Sequence, residues 1–265
     1  MSLFVYRSKR FNRFYGTVFF FYTIWFLVGL FVLGFGLETP MGPWADFVFI
    51  ASAALLLLLH FSGYSNLGVT LLIFAVFTLI SGAVETVGAL TGVPFGSYEY
   101  TGAFGPVLFG VLPLSIPLAW WVVVWPLHCL IHSALAGKGS IILVPIYTAI
   151  GAVMADLIIE PAATLVQGYW IWEGPGVYYG VPWVNFLGWF GTAFVLSFLA
   201  QTLLPHSPFK REELKMPVWV LSTTIFSFVV VSVAHGKWGV ILIAAVFYFL
   251  VWRFFRSARS TSLSQ

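Results

Sequence analysis

The sequence predicts an all-α fold, a polytopic transmembrane helical bundle of about eight spans. Hydrophobic residues make up 60% of the 265 residues and charged residues only 8%, against about 25% charged residues in an average soluble domain. The mean hydropathy is +0.98, and apolar runs of about 20 residues, long enough to cross a bilayer as a helix, recur along the chain. These observations exclude a soluble globular domain and a disordered chain. Because the runs are continuous rather than alternating, they also exclude a transmembrane β-barrel.

Each helix is inferred from an apolar run that ends at polar residues, glycine or proline. The first run follows the basic residues Arg7, Lys9, Arg10 and Arg13, as in a signal peptide. It nevertheless reaches full membrane length, and no small-residue cleavage site follows it, so we interpret it as a retained helix. The predicted spans cover residues 17–36, 44–61, 67–90, 106–134, 139–166, 183–203, 216–234 and 238–253.

The fourth predicted span contains Gly110, Pro113 and Pro117, which are residues that weaken or bend a helix. They predict a kinked helix that lines a cavity, although simple helix packing explains the same residues. In either case the helix is expected to extend over residues 106–134.

The distribution of basic residues predicts that both termini are cytoplasmic. With eight spans and a cytoplasmic N-terminus, Lys237 alone among the twelve basic residues falls on the outer side, in agreement with the positive-inside rule. We expect one integral-membrane domain over residues 1–265 in the cell membrane, with a flexible tail at residues 254–265. The predicted cytoplasmic set is Arg7, Lys9, Arg10, Arg13, Lys138, Lys210, Arg211, Lys215, Arg253, Arg256 and Arg259.

Three acidic residues lie inside apolar runs, where a carboxyl group is costly and by default marks a functional interior. Glu85 lies near the outer end of span three, while Asp156 and Glu160 share a helix face in the outer half of span five. Pro161 loosens the backbone ladder beside them. Since no Lys or Arg lies in these runs, we expect the carboxyls to meet in one cavity and at least one to stay protonated near neutrality.

A protonated carboxyl beside an ionised one can act as a general acid–base catalyst. Two other interpretations stay open. The carboxyls could only hydrogen-bond across the bundle and hold it together, or they could form a path for protons or cations.

Two outer connections, residues 91–105 and 167–182, are dense in Tyr, Trp, Gly and Pro. Tyr and Trp residues at the membrane–water interface commonly form an anchoring belt, and this role accounts for some of the aromatic residues in the two connections. The spacing of Gly and Pro predicts ordered loops folded over the mouth of the bundle. Because aromatic faces stabilise cations, such loops beside a carboxylic acid indicate chemistry on an alkene.

The histidines and the cysteine do not predict a metal site. His128 and His132 are four residues apart and could form a ligand pair with His206, but no carboxylate completes the set. They also lie at the opposite end of the bundle from the acids, so we interpret them as interfacial or core residues. Cys129 is the only cysteine, which excludes an intramolecular disulfide and a cysteine-built metal centre.

Four segments carry longer motifs. They are residues 85–100 (ETVGALTGVPFGSYEY), residues 117–120 (PLAW), the Asp156…Glu160–Pro161 group and residues 168–189 (GYWIWEGPGVYYGVPWVNFLGW). Together they resemble the carotenoid 1,2-hydratase family, the bisanhydrobacterioruberin hydratase-like carotenoid biosynthesis membrane proteins. The resemblance covers about residues 70–205.

The resemblance implies an enzyme that adds water across the terminal C1=C2 double bond of an acyclic carotenoid end group. This reaction needs an acid to protonate C2, stabilisation of the tertiary cation at C1 and a delivered water, but no redox cofactor. For the acid we expect Asp156 or Glu85, with Glu160 tuning that acid or orienting the water and Asn185 holding the water. The candidate substrate-binding and cation-stabilising residues are Tyr98, Tyr100, Trp120, Trp170, Trp172, Tyr178, Tyr179 and Trp183.

The implied substrate is a long-chain C40 or C50 carotenoid that lies along apolar grooves within the lipid bilayer. No nucleic acid, cofactor or metal is expected as a partner, and association with other carotenoid biosynthesis enzymes stays open. Two further activities stay open as well. A carotenoid cyclase would trap the same cation within the substrate, and a proton-coupled transporter would use the carboxyls as a relay, although the inverted halves typical of transporters are not found in the sequence.

Overall fold

Eight helices in the described part of the chain are each long and apolar enough to cross a membrane. The computed structural model describes residues 8–37, 41–135, 141–203 and 208–258. The predicted all-α membrane bundle of eight spans is confirmed, while the orientation of the termini stays a prediction. The helices are α1 (Lys9–Gly34), α2 (Pro43–Tyr64), α3 (Leu67–Thr91), α4 (Ser115–Ala134), α5 (Leu143–Leu165), α6 (Trp183–Leu203), α7 (Arg211–Ala234) and α8 (Val240–Ser257).

Several helix ends follow from local capping signals. The Asn66 side chain accepts a hydrogen bond from the Gly68 amide at 2.7 Å and caps α3, and Pro43 occupies the first turn of α2. At the other end of α3, Gly92 has a φ of 76°, a left-handed conformation that glycine adopts without steric cost. The carboxyl end of α3, which carries Glu85, is therefore fixed by the sequence itself.

Helix α4 begins at Ser115, so the expectation of a helix from residue 106 is wrong. Residues before it form a hairpin of β2 (Val107–Leu108) and β3 (Leu112–Pro113). Gly110 lies in the turn with a φ of 71°, a conformation that suits a hairpin and not a helix. Pro117 falls in the first turn of α4, where the missing amide hydrogen is tolerated, and the proline inside the helix is Pro126.

Several helix boundaries also differ from the prediction, and helix α1 begins at Lys9 and not at residue 17. Helix α7 begins at Arg211, and its start is stabilised by the Glu213 carboxylate, which accepts a hydrogen bond from the Lys210 amide at 2.9 Å. Helix α8 continues to Ser257, into the segment expected to be a tail. Arg7, Lys138 and Arg259 lie outside the described residues.

Helix α4 forms the buried centre of the bundle. It contacts α2, α3, α5, α6, α7 and α8, and its side chains Trp120, Trp121 and Trp125 are buried. Helix α5 packs most extensively against α6. Buried alanines such as Ala152, Ala155 and Ala193 let these two backbones approach closely, which brings the acidic face of α5 against the start of α6.

The two aromatic outer connections pair with each other. Strand β1 (Tyr98–Tyr100) and strand β4 (Trp170–Trp172) form a two-stranded antiparallel sheet in which Tyr98 lies opposite Trp172 and Tyr100 opposite Trp170. The ordered loops expected here therefore include a small sheet beside the carboxyl ends of α3 and α5.

Candidate active site

The β1–β4 sheet places four aromatic side chains on one face. Because side chains alternate along a strand, Tyr98, Tyr100, Trp170 and Trp172 point towards the bundle, whereas Ile171 and its partner Glu99 are exposed. The alternation is visible in the sequence as Tyr-Glu-Tyr and Trp-Ile-Trp. The sheet thus supplies two phenol and two indole donors to the buried carboxyls beneath it.

Glu85 accepts three short hydrogen bonds. Its Oε2 atom accepts from the hydroxyls of Tyr98 at 2.8 Å and Tyr100 at 2.7 Å, and its Oε1 atom accepts from Trp120 Nε1 at 2.8 Å. Only 6% of Glu85 is exposed. These three donors fix the orientation of the Glu85 carboxyl group, and all of them can stabilise it when it is ionised.

The two tyrosines remain donors over a wide pH range. Burial, and after it the nearby Glu85 carboxylate, raises the pKa of the Tyr98 phenol and raises that of Tyr100 well above its usual value. Both phenols therefore keep their protons near neutrality and continue to hydrogen-bond Glu85.

The other two carboxyls share one amide. Asn185 Nδ2 donates to Asp156 Oδ2 at 2.7 Å and to Glu160 Oε1 at 3.2 Å. Glu160 Oε2 also accepts from Trp172 Nε1 at 3.0 Å and Trp170 Nε1 at 3.3 Å. All three bonds to Glu160 come from N–H donors and are longer than the N–H bond from Trp120 to Glu85. Glu160 is therefore held less tightly by its donors than Glu85 is.

Asp156 is the more deeply placed carboxyl of the two that share Asn185. It is completely buried, and its Oδ1 atom has no hydrogen-bond partner within the described ranges. Two carboxyls that share one donor cannot both ionise without mutual repulsion. Asp156 and Glu160 thus form a coupled pair, with Asn185 as the bridge.

These groups surround a small pocket with about 60 Å³ of open space, enough for a few water molecules. None of the described residues that line it is basic. The lining residues are Ile50, Glu85, Phe95, Tyr98, Tyr100, Phe104, Ile116, Ala119, Trp120, Val123, Ile159, Glu160, Tyr169, Trp170, Trp172, Asn185, Trp189, Thr224 and Phe228.

The three intramembrane acids lie close together, but only two of them line the pocket, whereas all three were expected in one cavity. Glu85 and Glu160 line the pocket, and Asp156 is joined to Glu160 through Asn185. The predicted residues that line the pocket are Glu85, Glu160, Tyr98, Tyr100, Trp120, Trp170, Trp172 and Asn185.

Three predicted wall residues lie elsewhere, which corrects the sequence interpretation. The Tyr178 hydroxyl donates to the Leu157 carbonyl at 2.8 Å, and the Tyr179 hydroxyl accepts from the Gly239 amide at 3.2 Å, near the start of α8. Trp183 is the first residue of α6 and is 58% exposed. These residues brace the outer loop or lie at the surface, and they are not among the residues that line the pocket.

Several pocket residues were not anticipated. Trp189 stacks on Trp120 with ring centroids 4.2 Å apart, and its position four residues after Asn185 on one helix was the signal that could have found it. Phe95 fits between Gly88 and Gly188. Phe228 and Thr224 come from α7, which lies outside the segments that carry the motifs.

The histidine pair lies away from the acids. His128 and His132 stack with centroids 5.8 Å apart, and His128 Nδ1 is 2.8 Å from Ser197 Oγ. His128 follows Trp120 by eight residues, about 12 Å along the helix. His206, the third residue of the possible ligand set, lies outside the described residues. The pair therefore packs within the core at a distance from the pocket.

Comparison with known proteins places the chain in a family. Residues 44–251 match the family described as carotenoid biosynthesis protein. A bisanhydrobacterioruberin hydratase from Haloarcula japonica is 36% identical over 124 residues, which are 46% of this chain and 42% of that relative. The match thus spans less than half the length of the relative, and no solved structure matches the chain. By its family match, this protein belongs to the carotenoid biosynthesis protein family.

Proposed function

We propose that this protein is a carotenoid hydratase that adds water across the terminal C1=C2 double bond of an acyclic carotenoid end group. The observation that carries the proposal is the pocket itself, in which Glu85 and Glu160 face a wall of Tyr and Trp side chains without a basic partner among the described lining residues. Family membership and the hydratase relative support the same reaction class. The substrate is a long-chain C40 or C50 carotenoid held in the cell membrane.

The first step is transfer of a proton from a carboxylic acid to C2. We assign this role to Glu160, because it lines the pocket and its three hydrogen bonds are long. A general acid must first be within reach of the atom that it protonates. This assignment differs from the sequence expectation of Asp156 or Glu85, since Asp156 does not line the pocket and Glu85 is held by three short bonds.

The second requirement is stabilisation of the tertiary cation at C1. The indole of Trp120, stacked on Trp189, and the rings of the β1–β4 sheet present π-electron density to the pocket. The Glu85 carboxylate adds a fixed negative charge in a site with little water, where electrostatic stabilisation is strong.

The last step is attack of water on C1. The new C–O bond forms while the Glu160 carboxylate takes back the proton that the water loses. The net change is addition of one water molecule, and the acid is regenerated. Asn185 donates hydrogen bonds to both Glu160 and Asp156. It can therefore hold the acid in place and position the incoming water beside it. Asp156 acts as a positioning residue, because it does not line the pocket and is joined to Glu160 through Asn185.

Expression in cells that make lycopene tests the reaction. We expect a new, more polar pigment whose mass exceeds that of lycopene by one water. A ring-containing pigment of unchanged mass would instead identify a cyclase. Unaltered lycopene, at a verified level of membrane-inserted protein, would contradict activity on this C40 substrate, and the same assay with a C50 acyclic precursor would then decide between the two chain lengths.

A further inference from the structure

A second, larger cavity lies next to the active-site pocket. It is a groove of about 420 Å³ between α1, α2 and α7, whose walls include Trp25, Phe26, Phe49 and Val231. Its α1 wall extends from Trp25 to Leu33, about 12 Å along the helix. The lining is apolar apart from Asp46, Gln167, Tyr169 and Ser227.

The groove and the pocket share a wall. Ile50, Phe104, Tyr169 and Phe228 line both cavities, so only a single layer of side chains separates them. Phe104 stacks on Tyr169 with ring centroids 4.2 Å apart, and the Tyr169 hydroxyl hydrogen-bonds the Asp46 carboxyl on α2. The outer connections are thereby fastened over both cavities at the point where they meet.

We propose that this groove holds the isoprenoid chain of the substrate and leads its end group past Ile50 and Phe228 into the acidic pocket. The inference rests on the proposed hydratase function and adds to it the binding site of the chain. Adjacency to the pocket identifies the occupant, because a molecule whose reactive end lies beside Glu160 must extend its apolar remainder into a neighbouring apolar space. The groove accommodates part of a polyene that is about as long as the bilayer core is thick, ~30 Å, and the rest lies along the lipid-facing helices.

Gly29 offers a direct way to fill the groove. It lies on the α1 wall, and a Cβ atom at this position would have no neighbour within 4 Å. Gly29→Phe therefore projects a ring into the groove without a clash at its base. Gly191 on α6 is the matched control, because its Cβ would also have no neighbour within 4 Å and it lines neither cavity.

The test measures binding and turnover separately on purified, monodisperse protein in detergent, with lycopene as the probe. We expect Gly29→Phe to weaken lycopene binding by about tenfold or more. A ring that displaces even two carbons of the chain removes enough buried apolar surface to lower the affinity by this factor. Gly29→Ala should give a smaller loss, and Gly191→Phe should match the wild type. Glu160→Gln should bind lycopene normally while losing hydration.

The possible outcomes distinguish failure of the groove assignment from failure of the proposed hydratase reaction. Equal lycopene binding by Gly29→Phe and Gly191→Phe would overturn the groove assignment even if hydration is observed. Displacement of co-purified membrane lipid by Gly29→Phe, with lycopene binding unchanged, would also overturn it and identify a lipid acyl chain as the occupant. If the wild type binds lycopene but hydrates neither it nor a C50 precursor, the proposed function fails, while loss of binding in Gly29→Phe would still support the groove.

Discussion

At the scale of single residues, hydrogen-bond length distinguishes the two carboxyls that line the pocket. Glu85 accepts bonds of 2.7–2.8 Å, whereas Glu160 accepts bonds of 3.0–3.3 Å. Two of the bonds to Glu85 come from phenol hydroxyls, whose bonds are ordinarily shorter than those of N–H donors, but the N–H bond from Trp120 is also shorter than any bond to Glu160. The looser hold on Glu160 agrees with our proposal that Glu160 donates the proton and Glu85 stabilises the cation.

Glu160→Gln is expected to remove most hydration without unfolding the protein. Glutamine keeps the size and much of the hydrogen bonding, but it cannot donate an acidic proton. A positioned acid contributes about 10²–10⁴-fold in rate, or about 3–5 kcal/mol of barrier. The measurement is hydrated carotenoid formed per amount of folded protein.

Glu99→Gln is the matched control for this variant. Glu99 lies on β1 between Tyr98 and Tyr100 but on the exposed face of the sheet. We expect wild-type rates from it. Full activity in Glu160→Gln would transfer the acid role to Asp156 or Glu85.

Asp156→Asn is expected to reduce hydration less than Glu160→Gln, by roughly tenfold, because Asp156 acts on the substrate only through its neighbours. A coupled pair also predicts non-additivity. In the Glu160→Gln background, Asp156→Asn should have little further effect on the rate. A constant tenfold effect in both backgrounds would show that Asp156 has only a structural role, independent of Glu160.

At the scale of elements, the sequence predicted which residue types meet at the site better than it predicted their arrangement. Carboxyls are so costly in a membrane that Glu85, Asp156 and Glu160 stood out by composition alone. The pairing of β1 with β4 joins segments some 70 residues apart, and no local pattern specifies such a partner. The same limit explains Tyr178, Tyr179 and Trp183, which belong to the right connection but pack away from the pocket.

The fourth span shows where hydropathy fails. Residues 106–114 are apolar enough to extend the predicted helix, and yet they form the β2–β3 hairpin. Hydropathy reports burial and not backbone conformation, so the glycine and proline in this segment were the more informative residues. They marked a turn and not a kink.

Gly88→Ala should lower hydration by about tenfold and destabilise the protein by about 1–3 kcal/mol. A Cβ at this position would lie 2.8 Å from Phe95 and 2.9 Å from the Tyr98 hydroxyl, so it would push away a donor to Glu85. Gly191→Ala, whose Cβ would have no neighbour within 4 Å, is the control and should change neither quantity. The check is product yield together with thermal unfolding, and unchanged values for Gly88→Ala would show that the tight contact between α3 and the loop is not needed.

At the scale of the whole molecule, the bundle separates a buried acidic site from the aqueous phase. The carboxyl ends of α3 and α5 meet the β1–β4 sheet, and α4 fills the centre. The fold class and the number of spans could be predicted, because each spanning helix must satisfy its own backbone hydrogen bonds within the bilayer. The pocket and the adjoining groove could not, because they depend on how helices distant in sequence, such as α2 and α7, face each other.

The charge distribution predicts the orientation of the molecule. Both termini should lie in the cytoplasm, with the β1–β4 sheet and Lys237 on the outer side. Reporter fusions at the two termini and within the 91–105 and 167–182 connections measure this directly. Cytoplasmic signals from the two connections would invert the site in the membrane while leaving the cluster of carboxyls intact.

The central claim is that water adds to an alkene by proton transfer from a carboxylic acid. Its most direct test is to incubate the purified protein with an acyclic carotene in water enriched in heavy oxygen and deuterium, followed by mass spectrometry and NMR of the product. We expect a tertiary alcohol whose oxygen comes from the solvent and which carries one solvent deuterium at C2. A product with unlabelled oxygen, or a ring without added oxygen, would contradict it.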